Sequence, residues 1–230
     1  MRLRRPVALT LAVGALLAVP GCFGARGVDF SFDPGYRFDQ IRRVAIVSPA
    51  DPAAFAGLSG VLSDCAARSL SGRYRVYYGN GLERLVVAGG VVKSYQILVK
   101  SLHAGSPIDA ELMRRVGHAI GVDAFFYQAI GSLSQTLESG PSTDTLQVEQ
   151  DRGYRYGTIT RNPSNAVLKL VRLGAKLYDA ATGMAVWSAS KEVTTTSDIA
   201  DSGFGWIFRQ IDDAFVATIP AAPPAGARAS

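Results

Sequence analysis

A chain of 230 residues with 48% hydrophobic and 19% charged side chains has the length of one domain and enough apolar material for a sizeable core. That composition excludes a disordered chain, and the 24 glycines follow no three-residue period, which excludes collagen. The formal net charge is +5, but Arg2, Arg4 and Arg5 precede any acidic residue and without them the surplus is about +2, too small to indicate a nucleic-acid partner.

Behind the arginines, residues 7–19 form an apolar run interrupted only by Thr10 and Gly14. At about 13 residues it is short of the roughly 20 that cross a bilayer, and it suits the core of a secretory signal. Val19-Pro20-Gly21-Cys22 resembles the bacterial lipobox, an aliphatic residue and two small residues ahead of a cysteine that becomes the acylated N-terminus. Pro20 departs from the usual small residue. The resemblance implies a lipoprotein signal peptide over 1–21 and acyl chains, palmitate among them, on Cys22, with the membrane as a partner through that anchor. Several chains on one residue hold lastingly where one holds only marginally. Phe23 in place of aspartate after the cysteine implies the bacterial outer membrane, at its periplasmic face. The alternative is an ordinary cleaved signal with a chance cysteine behind it.

Residues 22–38 mix Gly, Asp and Pro with single aromatics and read as a flexible tether. An α/β domain is expected over 39–219, and the Pro/Ala/Gly-rich residues 220–230 read as a disordered tail. Within the domain, residues 43–47 (RVAIV) read as a strand buried on both faces. A helix follows over about 56–71, with Leu58, Val61, Leu62, Cys65, Ala66 and Leu70 on its apolar stripe and Gly72 to end it. Cys65 has no partner within the chain if Cys22 is acylated. It reads as a small core residue, with a regulatory thiol as the sharper alternative.

Residues 74–78 (YRVYY) read as a second strand and Gly79-Asn80-Gly81 as the turn that stops it. Two helical faces follow, one from Val91 to Leu102 and one from Ile108 to Ile120, the latter with Asp109 and Glu111 in its first turn and Gly121 at its end. A long strand runs from Asp123 to about Thr136. Residues 137–164 form a polar insertion, read as a surface loop or a short extra hairpin. A hairpin then takes strands 166–178 and 185–196 around the turn Asp179-Ala180-Ala181-Thr182-Gly183, where Asp179 can accept from turn N–H groups and Gly183 can take a positive φ. Phe204, Ile207, Phe208, Ile211 and Phe215 give a final helix its buried stripe. The order β-α-β-α-α-β-β-β-α specifies an α/β fold: a single domain with a mixed sheet covered by helices, parallel where helices intervene and antiparallel in the late hairpin.

Catalytic patterns are absent from the sequence. His103 and His118 have no Cys or His at ligand spacing, so no metal and no cofactor is expected. Nucleophile elbows, zinc-protease helices and phosphate-binding glycine loops are missing. Asp198, Asp201, Asp212 and Asp213 read as solvated charges at the ends or exposed faces of the last helix, and Asp179 as a turn residue. The chain is therefore read as a non-enzyme, with a missed constellation around a shifted carboxylate as the remaining enzymatic alternative.

Residues 175–188 (AKLYDAATGMAVWS) resemble the L-x-D-x-x-T-G-x-x-x-W hairpin of envelope lipoproteins of the CsgG-like curli-assembly group and of the LpoB-type activators of penicillin-binding proteins. The RVAIV strand, the helix before Tyr74-Arg75-Val76 and Gly121-Val122-Asp123-Ala124 fall in the same order. The resemblance implies a fold similar to the N-terminal domain of TolB, and members that bind partners or form rings. It implies an envelope protein that docks on a partner, or on itself, to assemble or regulate a machine for secretion, cell-wall synthesis or surface structures. Tyr77, Tyr78, Tyr154 and Tyr156 are the candidate partner-binding residues, because exposed aromatics supply binding energy at low entropic cost. Trp187 and Trp206 are read as core. The rivals are an oligomeric ring or secretion channel and a carrier of a small hydrophobic ligand. A channel would need strands of about 9–11 residues with alternating apolar positions, whereas 137–164 alternates only briefly.

Overall fold

The structure, a computed structural model, describes residues 27–51, 57–139, 143–151, 154–162, 165–198 and 204–221. In chain order the elements are β1 (Asp29–Phe32), β2 (Arg43–Val47), α1 (Leu58–Ser71), β3 (Arg75–Tyr77), α2 (Gly79–Ala88), α3 (Val92–His103), α4 (Ala110–Ile120), β4 (Ala124–Ser139), β5 (Thr143–Asp151), β6 (Tyr154–Asn162), β7 (Asn165–Asp179), β8 (Ala185–Asp198) and α5 (Gly205–Thr218).

The residues of β2 explain the three layers. They are buried from Val44 to Val47, and the two-residue period of a strand sends Val44 and Ile46 into one core and Ala45 and Val47 into the other. Helices α1 and α5 cover the first face, with Trp187 and Phe215 in edge contact between sheet and helix. Helices α2, α3 and α4 cover the second through Leu82, Leu98 and Met113 among others. The sheet order is β1-β8-β7-β4-β2-β3. β2 runs parallel to β3 and to β4, while β4–β7, β7–β8 and β8–β1 are antiparallel. The fold is thus a single mixed α/β domain, as the helix-interrupted early strands and the late hairpin require.

Helix α4 follows its sequence signals closely. Asp109 Oδ1 accepts from the Glu111 and Leu112 N–H groups at 2.9 and 3.4 Å, and Gly121 closes the helix at φ 70°. Gly117 lets the helix lie against the hairpin turn, since a Cβ there would stand 2.6 Å from Ala180 Cβ.

Four expectations are corrected. Part of the segment read as tether is in the fold: residues 29–32 form the edge strand β1 on β8, and Phe38 enters the core. Gly79-Asn80-Gly81 is the first turn of α2 and not a free turn, because Leu82 and Val86, four apart, bury one face of a helix. Of the two readings of the insertion, the surface loop gives way to the extra hairpin, longer than expected: β5 and β6 pair antiparallel over nine residues each, and β4 and β7 extend to Ser139 and Asn165. Trp187 is core, but Trp206 is only half-buried, packed against the core's edge. The signal segment, Cys22 and residues 222–230 lie outside the described residues.

Candidate functional site

The turn between β7 and β8 is held by one carboxylate. Asp179 Oδ2 accepts from the Thr182 N–H at 2.9 Å and the Thr182 hydroxyl at 2.7 Å, and Oδ1 accepts from the Tyr36 hydroxyl at 2.9 Å. Gly183 takes φ 72°, and its N–H donates to the Asp179 carbonyl at 2.8 Å. Burial, reinforced by the Asp179 carboxylate, pushes the Tyr36 phenol far up. These bonds tie the segment entering from the N-terminus to the hairpin.

Beside the hairpin, on the face covered by α2 to α4, lies a cleft of about 660 Å³. His103 and Ile108 form one wall; Tyr127, Lys176, Tyr178 and Ser190 form much of the floor. His103 Nε2 sits 2.9 Å from the Ser48 carbonyl, which only accepts, so that nitrogen carries the proton. Burial raises the Tyr127 and Tyr178 phenols. The cleft offers ring faces, hydroxyls and an ammonium. A second concavity, about 920 Å³, opens near Tyr36, Arg43, His118 and Asp123. Its arginines are matched: Arg37 to Asp39 and Arg43 to Asp123 at 3.0 Å, Arg114 to Glu111 at 2.7 Å. His118 is exposed, as its place on the polar edge of α4 predicts.

Asp212 overturns its sequence reading. It is 1% exposed, and its Oδ1 accepts from Nε2 of Gln128, itself fully buried on β4. Its Oδ2 and Gln128 Oε1 have no hydrogen-bond partner among the described residues. Burial drives the Asp212 carboxyl well above the ordinary range, against the opposing Gln128 hydrogen bond. The signal was present in the sequence, because Asp212 follows Phe208 by four and precedes Phe215 by three, on the buried stripe of α5. Neither partly orphaned side chain lines the two clefts described above, so the pair is a core feature between sheet and helix.

Among the named contact residues, Tyr77 lies half-buried on β3 with the Arg75 guanidinium 5.4 Å over its ring. Tyr78, 39% exposed, precedes α2. Tyr154 and Tyr156 lie in β6, opposite Asp151 and Glu149 of β5. The first pair thus sits at the β3 edge of the main sheet and the second in the separate hairpin. Cys65 is buried, its Sγ 3.5 Å from the Gly205 carbonyl, and burial raises its thiol. Among the described residues no cluster of His, Cys, Asp and Glu could hold a metal ion, and no helix is long and apolar enough to cross a membrane.

The second half of β4 runs beyond its parallel neighbour. β2 pairs with β4 only over residues 124–127. Residues 128–139 continue beside β7 alone, with no described strand on their other side. Past the fully buried Gln128 they leave an open sheet edge over residues 129–139.

No family model matches the chain, and no curated protein matches it. Solved structures do. The PelC dodecamer from Paraburkholderia phytofirmans is similar at 15% identity and TM-score 0.44, over 83% of this chain and 94% of that one. A lipoprotein from Neisseria meningitidis is similar at 17% identity and TM-score 0.37, over 72% and 91%. The C-terminal domain of LpoB from Salmonella enterica is similar at 9% identity and TM-score 0.29, over 66% and 82%. Likenesses this distant carry no functional argument.

Proposed function

We propose that this chain is an outer-membrane lipoprotein facing the periplasm, anchored through Cys22. It works without catalysis, docking on an envelope protein or on a copy of itself to assemble or regulate an envelope machine. The open edge of β4 over residues 129–139 is the observation that carries the docking. Its N–H and C=O groups, which no described strand pairs, are a template for an added strand. Tyr154 and Tyr156 on the β5–β6 hairpin, and Tyr77 and Tyr78 at the β3 edge of the main sheet, are the proposed side-chain contacts.

A photo-crosslinking residue in place of Ser134 tests the edge in living cells. A discrete adduct from Ser134, and none from Arg84 on α2, supports docking along β4; no adduct from Ser134 in folded, membrane-bound protein refutes it. The anchor is tested separately. A Cys22→Ser protein should leave the membrane fraction, and retention there would refute acylation as the attachment.

A ring or secretion channel is the second reading, favoured by one observation: β5 and β6 each reach nine residues, the lower limit of a membrane-spanning strand. Asp144, Glu149 and Asp151 on β5, with Arg155 and Arg161 on β6, weigh against an apolar outer band.

A further inference from the structure

β1 is exposed along its whole length, yet it carries two phenylalanines. Phe30 and Phe32 are 48% and 44% exposed, with their rings stacked 6.4 Å apart at 8°. Phe32 also meets Phe38 edge-on at 6.2 Å, which fixes the pair to the domain. β8 occupies one side of β1, and no described strand occupies the other. An apolar pair on a sheet edge is a liability unless something covers it.

The chain's own geometry identifies the cover. Phe30 stands eight residues after Cys22, and eight residues span at most about 29 Å when fully extended. An acylated Cys22 therefore confines β1 to the neighbourhood of the lipid surface whatever path the intervening residues take. We infer that Phe30 and Phe32 rest in the lipid interface beside the anchor and set the orientation of the domain on the membrane. The inference rests on the acylation of Cys22. Because the anchor already brings the domain to the surface, the rings need only outweigh the loss of rotational freedom, not a full association cost. Acyl chains and rings then act as two signals of unequal weight, the first holding and the second orienting.

Asp29 and Asp33 flank the pair, so attraction to anionic headgroups cannot be its source. The contact is apolar and should persist at high salt. It also orders the rest of the molecule. β1 and β3 are the two ends of the six-stranded sheet, about 24 Å apart at the usual strand spacing. With β1 on lipid, Tyr77 and Tyr78 face the periplasm.

The test uses the full lipidated protein in phosphatidylethanolamine–phosphatidylglycerol vesicles, with Cys65→Ala and one environment-sensitive label on Asp29→Cys or Asn80→Cys. The inference predicts quenching by lipids spin-labelled near the headgroup for the label at 29. The label at 80 should not be quenched. Phe30→Ser with Phe32→Ser should abolish the quenching at 29 at unchanged flotation and unchanged thermal midpoint. Protein that floats with the vesicles but is unquenched at 29 overturns the membrane contact while leaving the anchor intact. Spontaneous disulfide crosslinking of the unlabelled Asp29→Cys protein between copies overturns it in favour of a second chain on β1. Protein that fails to float overturns the anchor and the inference with it.

Discussion

The side-chain amide of Gln128 donates to the carboxyl of Asp212 between β4 and α5, and both side chains are sealed from solvent. Among the described residues, one oxygen on each has no partner. A protonated Asp212 resolves much of this, since the neutral acid has an O–H to donate, and Gln128 Oε1 lacks a donor. Burial, the dominant influence on the group, favours the same neutral form.

The sign of the resulting pH dependence follows. With its folded value raised, Asp212 keeps a proton that the unfolded chain gives up. Its contribution is fully present below the ordinary carboxylate range and is lost as pH rises through the folded value. Over that window stability should fall by about 1.4 kcal/mol per pH unit from this group alone. Asp212→Asn removes the ionisation, so urea midpoints measured across the window should lose that descent. An unchanged descent in the variant would assign it elsewhere.

The hairpin turn should be intolerant at two positions. In Gly183→Ala the positive φ costs on the order of 1–3 kcal/mol, and the new Cβ would stand 2.5 Å from Ala110 Cα on α4. Asp179→Ala removes acceptors from Thr182 and strands the Tyr36 hydroxyl, a loss on the order of 2–3 kcal/mol. Thermal unfolding should show both variants well below wild type, while Asp29→Ala, on the exposed edge strand, stays close to it.

Cys65 should behave as packing. Its thiol is buried against α5 and raised by that burial, so alkylation by a maleimide at neutral pH should be slow in the folded protein and fast in urea. Rapid labelling of the native chain would restore the regulatory-thiol alternative.

The β6 tyrosines make a separate prediction. Tyr154→Ala with Tyr156→Ala should weaken crosslinking to the partner captured at Ser134 and leave the thermal midpoint of the main domain unchanged. Equal crosslinking would discard the hairpin as a contact surface.

Periodicity made the packed centre of this domain readable. Val44 to Val47, the α4 face and the stripe on α5 are apolar patterns that only one secondary structure can bury. Turn chemistry was equally direct at Asp179 and Gly183, where local hydrogen bonds and a positive φ leave little choice. What escaped has a common cause in tertiary context. Residues 29–32 look like linker because their partner, β8, lies more than 150 residues away. Gly79 and Gly81 look like a turn because their weak helix propensity is overridden by Leu82 and Val86 packing. Asp212 looks solvated because charge is read by residue type, whereas its position on the stripe decides its burial. The open edge of β4 depends on where a different strand, β2, stops, and no local pattern in β4 encodes that.

The docking account is tested most directly by the mass of the purified, lipidated protein in mild detergent, from light scattering corrected for bound detergent. A docking module with an open edge for a partner predicts one or two copies. A discrete ring of many copies would contradict it and turn attention to β5 and β6 as the wall of a channel.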